Sequence, residues 1–282
     1  MKWLLRGLLA GVLAAAVLFL LPVLALRWLP APTSAFMLAS DVKPVRHQWV
    51  PAEAIADTAR RAVVASEDQK FFEHQGFDIE AIQKAYASNQ KKGRRVRGAS
   101  TISQQTAKNL FLWSGGGYFR KGIEAVYTVL IEALWPKQRI LTVYLNIAEF
   151  GPGIYGVEAA AQAYFKKPAA KLTANEAARL AAVLPNPTKW KVSKPGPYVQ
   201  KRTTWILGQM GYGARRQEPP PEEPEPLPGM DHDASPVVEA DAPAPEGAPA
   251  SDAPTPEQQL QQQVEQEAAQ QILDGVAPTP EP

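Results

Sequence analysis

The 282-residue sequence contains no cysteine. That excludes disulfides and thiolate-bound metal, and it fits an oxidising compartment without proving one. Basic residues are missing from one end. Positions 217–282 hold 15 of the chain's 28 acidic residues and none of its 30 lysines and arginines. Aromatic residues are missing there too: 214–282 has no Phe, Trp or Tyr, while it carries 15 of the 27 prolines. Such a segment buries too little apolar surface to offset its ordering entropy, so a disordered acidic, Pro-rich tail is expected over 214–282. Within it, 258–272 has Leu260, Val264 and Ala268 at every fourth position, the spacing of a transient helix. The near-neutral formal charge of +2 therefore hides a strongly basic portion before the tail, suited to anionic partners such as phosphates or anionic lipid.

Sustained strand alternation is absent, and so is any internal repeat. Helical periodicity is present instead. Gly7 to Leu26 is an uncharged run rich in Leu, Ala and Val. As a helix it would span about 30 Å, the thickness of a bilayer's hydrocarbon core. A cleaved signal peptide would have a shorter apolar core and a small-x-small cleavage site, which this run lacks. The expectation is a short cytoplasmic N-terminus over 1–6 and one transmembrane anchor over 7–27. Lys2 and Arg6 favour a cytoplasmic N-terminus, although Arg27 weakens the asymmetry.

Residues 28–47 read as a connector, since Pro30, Pro32 and Pro44 break any long helix. A mainly α domain is expected over 48–213. Its helices are placed at 52–66, 79–89, 101–112, 118–135, 139–148, 156–166, 173–184 and 198–210. Thr101 with Gln104, and Thr173 with Glu176, form capping boxes. Gly115, Gly116 and Gly117 read as a hinge.

Three clusters carry chemistry. In the first, Glu67 follows the apolar run 62–65, so its carboxylate should leave a buried helix end at a cleft, placed to act as a general base. Asp68 and His74 follow it; read singly, they are a solvated helix end and a structural hydrogen-bonder. In the second, Gly98 leads through Ser100 and Thr101 into a helix whose N-terminal N–H groups suit an anion. Gln104 and Gln105 offer amides for sugar hydroxyls, Lys108 adds a cation, and Arg94, Arg95 and Arg97 precede them in a basic loop. The bland alternative is a well-capped helix beside a solvated loop. In the third, Arg120 and Glu124 share a helix face, with Lys121 between them. That spacing reads either as a surface ion pair or as a phosphate clamp.

Taken together, these blocks resemble glycosyltransferase family 51, which forms the peptidoglycan glycan chain. The resemblance rests on Glu67, Asp68, Phe71, His74 and Gly76; on Gly98 to Gln105, with Ser103 where Thr is more usual; and on Arg120, Lys121 and Glu124. It continues through Arg139 to Asn146, Glu149 to Gly151, Gly156 to Ala161 and Leu184 to Pro187, and covers about 48–210. The sequence after it does not resemble a transpeptidase, so a monofunctional member is expected. The tail lies outside the resemblance.

The resemblance implies a lysozyme-like lobe, a smaller membrane-proximal lobe, and polymerisation of lipid II into β-1,4-linked glycan with release of undecaprenyl diphosphate. It implies Glu67 as the base and Glu124 as the second glutamate. The substrate-binding set would be Asp68, His74, Ser100, Thr101, Gln104, Gln105, Lys108, Arg120 and Lys121. No metal site is assigned; Glu124 is the one candidate ligand, for a divalent cation such as Mg²⁺. The partners expected are lipid II, the growing glycan, membrane lipids and other wall-synthesis or division proteins, with no nucleic acid. The catalytic domain would lie on the periplasmic side of the inner membrane. Leu110 to Trp113, with Tyr118 and Phe119, reads either as a membrane contact or as core. A glycan-cleaving enzyme on the same scaffold is the nearest rival, but it has no use for a pyrophosphate clamp. A non-catalytic membrane scaffold is the second, and the presence of both glutamates argues against it.

Overall fold

The computed structural model describes residues 2–89, 98–212 and 220–221. The basic loop at 90–97 and the acidic tail beyond 221, including 258–272, lie outside the described residues.

The chain opens with helix α1 (Lys2–Leu26), which contains Pro22. Its C-terminal part docks onto the domain. Val23 is fully buried, its carbonyl accepts from Trp135 Nε1 at 2.8 Å, and the Leu26 carbonyl accepts from the Arg139 guanidinium. Phe19 stacks on Tyr127 with ring centroids 5.3 Å apart. Many α1 side chains lie outside the described set; among the described residues, no helix is long and apolar enough to cross a membrane.

The segment expected as a plain connector carries structure. Ser34 caps α2 (Ala35–Ala39) by accepting from the Met37 N–H, and Met37 is buried. β1 (Arg46–His47) pairs in parallel with β3 (Ile154–Tyr155), which pairs antiparallel with β2 (Glu149–Gly151). Strands of two or three residues are too short to show alternation, so sequence periodicity missed this sheet. Val50 is tied down next to it: its N–H donates to Asn146 Oδ1 at 2.8 Å and its carbonyl accepts from Asn146 Nδ2 at 2.9 Å.

The expected helices are present with small shifts at their ends, except that the one expected over 52–66 is broken: a single 3-10 turn covers Ala52–Ala54, Ile55 is extended, and the α-helix starts only at Asp57. α3 (Asp57–Glu67) buries Ala59, Ala62, Val63 and Ala65. α9 (Ala174–Val183) buries Ala177, Ala178, Ala181 and Ala182. Small side chains on both faces let these helices approach closely, which leaves the C-terminal end of α3 beside α9 and α10 (Pro197–Gln209). On the other side α5 (Ile102–Phe111) packs between α6 (Gly117–Leu134) and the almost wholly buried α7 (Lys137–Ile147). α4 (Ile79–Asn89), α8 (Val157–Phe165) and the short 3-10 turns Ala52–Ala54 and Ala169–Lys171 complete the described elements. Gly156, ahead of α8, has φ +85, and a Cβ there would stand 2.6 Å from the Asn146 carbonyl oxygen.

The stretch read as membrane contact or core divides between the two. Leu110 and Leu112 are buried, and Phe111 stacks on Tyr127 at 4.4 Å. Trp113, Tyr118 and Phe119 point outward, as do Val126 and Val129 of α6.

Candidate active site

Glu67 is the last residue of α3, where the helix stops supplying backbone partners and side chains take over. Its Oε1 accepts from Ser66 Oγ at 2.9 Å and from the Arg202 guanidinium at 3.3 Å. Its Oε2 accepts from Gln105 Nε2 at 3.2 Å. The Glu67 side chain is 10% exposed. A carboxylate offers about four acceptor sites, so three donors leave it oriented with room for one more. Behind Gln105, Tyr144 donates its hydroxyl to Gln105 Oε1 at 2.9 Å. Burial, and then the charges of Glu67 and Asp68, push the Tyr144 hydroxyl well above the usual phenol range, so it stays a donor. This fixes the orientation of the Gln105 amide, with its NH₂ turned to Glu67.

Asp68 does different work. It is buried, and it accepts from the Ile102 N–H at 3.0 Å and from His74 Nε2 at 2.9 Å. The Gly76 N–H donates to His74 Nδ1 at 3.1 Å, so the ring proton sits on Nε2, facing Asp68. Burial raises the Asp68 carboxyl above its ordinary range, opposed by the bonds from His74 and Ile102. Thr101 and Gln104 form the expected capping box, and Thr101 Oγ1 also donates to the Gly76 carbonyl at 2.6 Å. Both side chains are buried. Thr101, capped by Gln104, locks the N-terminus of α5 to the turn after α3. That lock sets the relative position of Glu67 and Gln105.

The third cluster is buried rather than a surface pair. Arg120 is fully buried, with NH1 on Glu124 Oε2 at 2.8 Å and Nε donating to the Gly115 carbonyl. Its second terminal nitrogen is buried without a hydrogen-bond partner. Lys121 Nζ sits 2.6 Å from Glu124 Oε1 and 3.4 Å from Ser100 Oγ, with its side chain 31% exposed. Of the two cations on α6 it is therefore Lys121 that reaches solvent, whereas Arg120 backs the site through Glu124. Lys108 lies half-buried, its ammonium 5.4 Å from the Phe36 ring centroid. Both Glu124 oxygens face cations, so this donor set does not fit a divalent metal ion. Among the described residues, no group of three or more His, Asp or Glu side chains could hold one.

Sequence reasoning did not single out Arg202 and Tyr144. Arg202 leaves a trace: it occupies an inward position of α10, spaced with buried Val199 and Ile206. A lone arginine in an apolar stripe needs a buried anion, and Glu67 is that anion. Tyr144 leaves none, because it stands in an unbroken buried run.

The helix-end Glu67 and the cation cluster of α6 are thus both joined to the N-terminal part of α5 and the residue before its cap, through Gln105 and Ser100. The family model described as "Transglycosylase" matches residues 35–211, more than half of the chain, and the chain belongs to that family. It is 57% identical over 190 residues to the "Biosynthetic peptidoglycan transglycosylase" of Shigella boydii, covering 64% of this chain and 78% of that protein. It is 57% identical over 190 residues to the protein of the same name from Escherichia coli K12, with the same coverage. The Pasteurella multocida protein of that name is 55% identical over 204 residues, covering 69% of this chain and 82% of the relative.

Proposed function

We propose that this transglycosylase is a peptidoglycan glycosyltransferase that polymerises lipid II at a membrane surface. The observation that carries this reading is the setting of Glu67: a largely buried carboxylate held by Ser66, Arg202 and Gln105, with one acceptor site to spare. The relatives' shared name supplies the substrate class.

In this reading Glu67 takes the proton from the 4-hydroxyl of the acceptor's N-acetylglucosamine as that oxygen bonds to the anomeric carbon of the donor's N-acetylmuramic acid. The bond from that carbon to the pyrophosphate oxygen breaks, with inversion, and undecaprenyl diphosphate leaves with the electron pair. Lys121 and Lys108 stabilise its charge, and Arg120 and Glu124 hold Lys121 in place. Asp68 and His74, with the Thr101 cap, keep α3 and α5 in register.

The apolar run from Gly7 to Leu26 lies within α1, and the 25 residues of that helix would extend about 37 Å. We assign it as a single-pass anchor that places the domain on the periplasmic face of the inner membrane. Outward-facing Trp113, Tyr118 and Phe119 suit the interface beside it. Anchoring confines enzyme and lipid-tailed substrates to one surface, which raises their effective concentration. The domain would run from 48 to 213, and the acidic tail from 214 would follow it. The test is to supply lipid II to the detergent-solubilised chain and resolve the products: long glycan with diphosphate release supports the proposal. Cleavage of preformed glycan strands without polymer would replace it with a lytic activity.

A further inference from the structure

The segment before position 48, expected as a plain connector, brings one side chain to the cations of the site. Phe36 of α2 is half-buried, and the Lys108 ammonium of α5 lies over its ring, 5.4 Å from the centroid. A cation within about 6 Å of a ring face is attracted by the ring's quadrupole. Lys108 is half-buried as well, so this attraction is screened less than it would be in open solvent.

Phe36 is held from several sides. Five residues are too few for a helix to persist by itself, so tertiary contacts set the place of α2. It packs against α5, and Met37 anchors it in the core. Lys43 Nζ donates to the Met37 carbonyl at 2.9 Å and to the Leu38 carbonyl at 3.0 Å, which closes its C-terminal end. Tyr155 of β3 donates its hydroxyl to the carbonyl of Phe36 itself at 3.3 Å. Burial is the main cause that pushes the Tyr155 hydroxyl up to about 12, so it keeps its proton and remains a donor at neutral pH. The ring therefore stands on a fixed backbone. A lysine stem has many rotamers, and holding its ammonium in one place costs entropy. A ring face fixed beside it lowers that cost before substrate arrives, which is how a charge becomes preorganised.

We propose that Phe36 is a positioning residue: its ring face holds the Lys108 ammonium where the leaving diphosphate develops charge. This rests on the role proposed for Lys108 at that leaving group. Phe36 acts through Lys108, and the segment ahead of position 48 thereby contributes to the site.

The test is steady-state polymerisation of lipid II by the full-length chain in detergent, with mono-, di- and trifluorinated phenylalanine in place of Phe36. Fluorine leaves the ring's shape nearly unchanged and withdraws negative charge from its face. The proposal expects kcat to fall with each added fluorine, by about 3- to 30-fold at the trifluorinated ring, with KM nearly unchanged. Phe36→Leu should match the trifluorinated ring, and Phe36→Tyr, which keeps a ring face, should stay close to wild type. Combined with Lys108→Met, the fluorine series should be flat. Thermal unfolding confirms that each variant folds; the fluorinated chains, alike in size to the native one, carry the test if Phe36→Leu does not. A flat series in the native background, beside a clear loss in Lys108→Met, would overturn the proposal and leave the role of Lys108 standing. A series that declines equally with Lys108→Met would overturn it too, since Phe36 would then act by another route. Lys108→Met as active as wild type would sink the leaving-group role and the proposal together.

Discussion

Arg202 of α10 and Glu67 of α3, 135 residues apart in sequence, meet at 3.3 Å with both side chains about nine-tenths out of solvent. A partly buried pair is strongly felt when one partner goes, because the other is left without compensation. Arg202→Met should leave a folded protein whose polymerisation rate is lower by about 10- to 100-fold, the equivalent of one charge-assisted hydrogen bond. Comparing initial rates of glycan synthesis checks this, and Arg202→Lys, which keeps the charge, should recover part of the loss.

Tyr144 orients Gln105 without touching Glu67. Tyr144→Phe keeps the buried ring and frees the Gln105 amide to turn. The expected effect is up to about 10-fold in kcat with little change in KM, since one neutral hydrogen bond is lost. Steady-state kinetics on lipid II separates the two constants.

Asp68 sets a pH signature on stability. Burial raises its carboxyl above the ordinary 3.8, so from about that pH upward the folded state holds the proton more tightly than the unfolded state. Its contribution is then largest below the unfolded value and falls as pH rises through the folded one. Relative to Asp68→Asn, which cannot titrate, the wild type should lose stability across that window as pH rises. Urea unfolding of both proteins from about pH 3.5 to 6.5 measures the difference.

Gly156→Ala should destabilise the fold. The position has φ +85, and the new Cβ would meet a backbone oxygen at 2.6 Å, which cannot rotate away as a side chain can. A loss of about 1–3 kcal/mol or more is expected, seen as a lower thermal midpoint.

Lys121 is the partly exposed cation of the third cluster. Lys121→Met should lower kcat/KM by about 100-fold or more if it stabilises the leaving diphosphate, in line with the loss of one preorganised charge contact. The same kinetics, run at constant ionic strength, provide the check.

Much of this architecture is legible in the sequence because its signals are local. The capping boxes at Thr101 and Thr173 appear where their residue pairs place them, and α4 spans 79–89 as its periodicity predicts. Glu67 can be read as a helix-end carboxylate because the apolar run before it is contiguous. Features that depend on distant partners are not legible. β1 exists because Arg46 and His47 meet Ile154 and Tyr155 across more than a hundred residues. The spacing of Arg120 and Glu124 gives their pairing, but not that it is wholly buried. Gln104 caps α5 as its spacing from Thr101 predicts, but its neighbour Gln105 turns toward Glu67 through a partner on α7, Tyr144, that local sequence does not reveal.

The central claim is that Glu67 takes the acceptor's proton. Polymerisation of lipid II by wild type and Glu67→Gln, side by side in detergent with products resolved by length, tests it most directly. The variant keeps the size of the side chain and an oxygen for Ser66 and Arg202 to address, so the fold should survive. The account predicts long glycan from the wild type and a rate lower by about 10²- to 10⁴-fold from the variant. A folded variant that polymerises at the wild-type rate would contradict it.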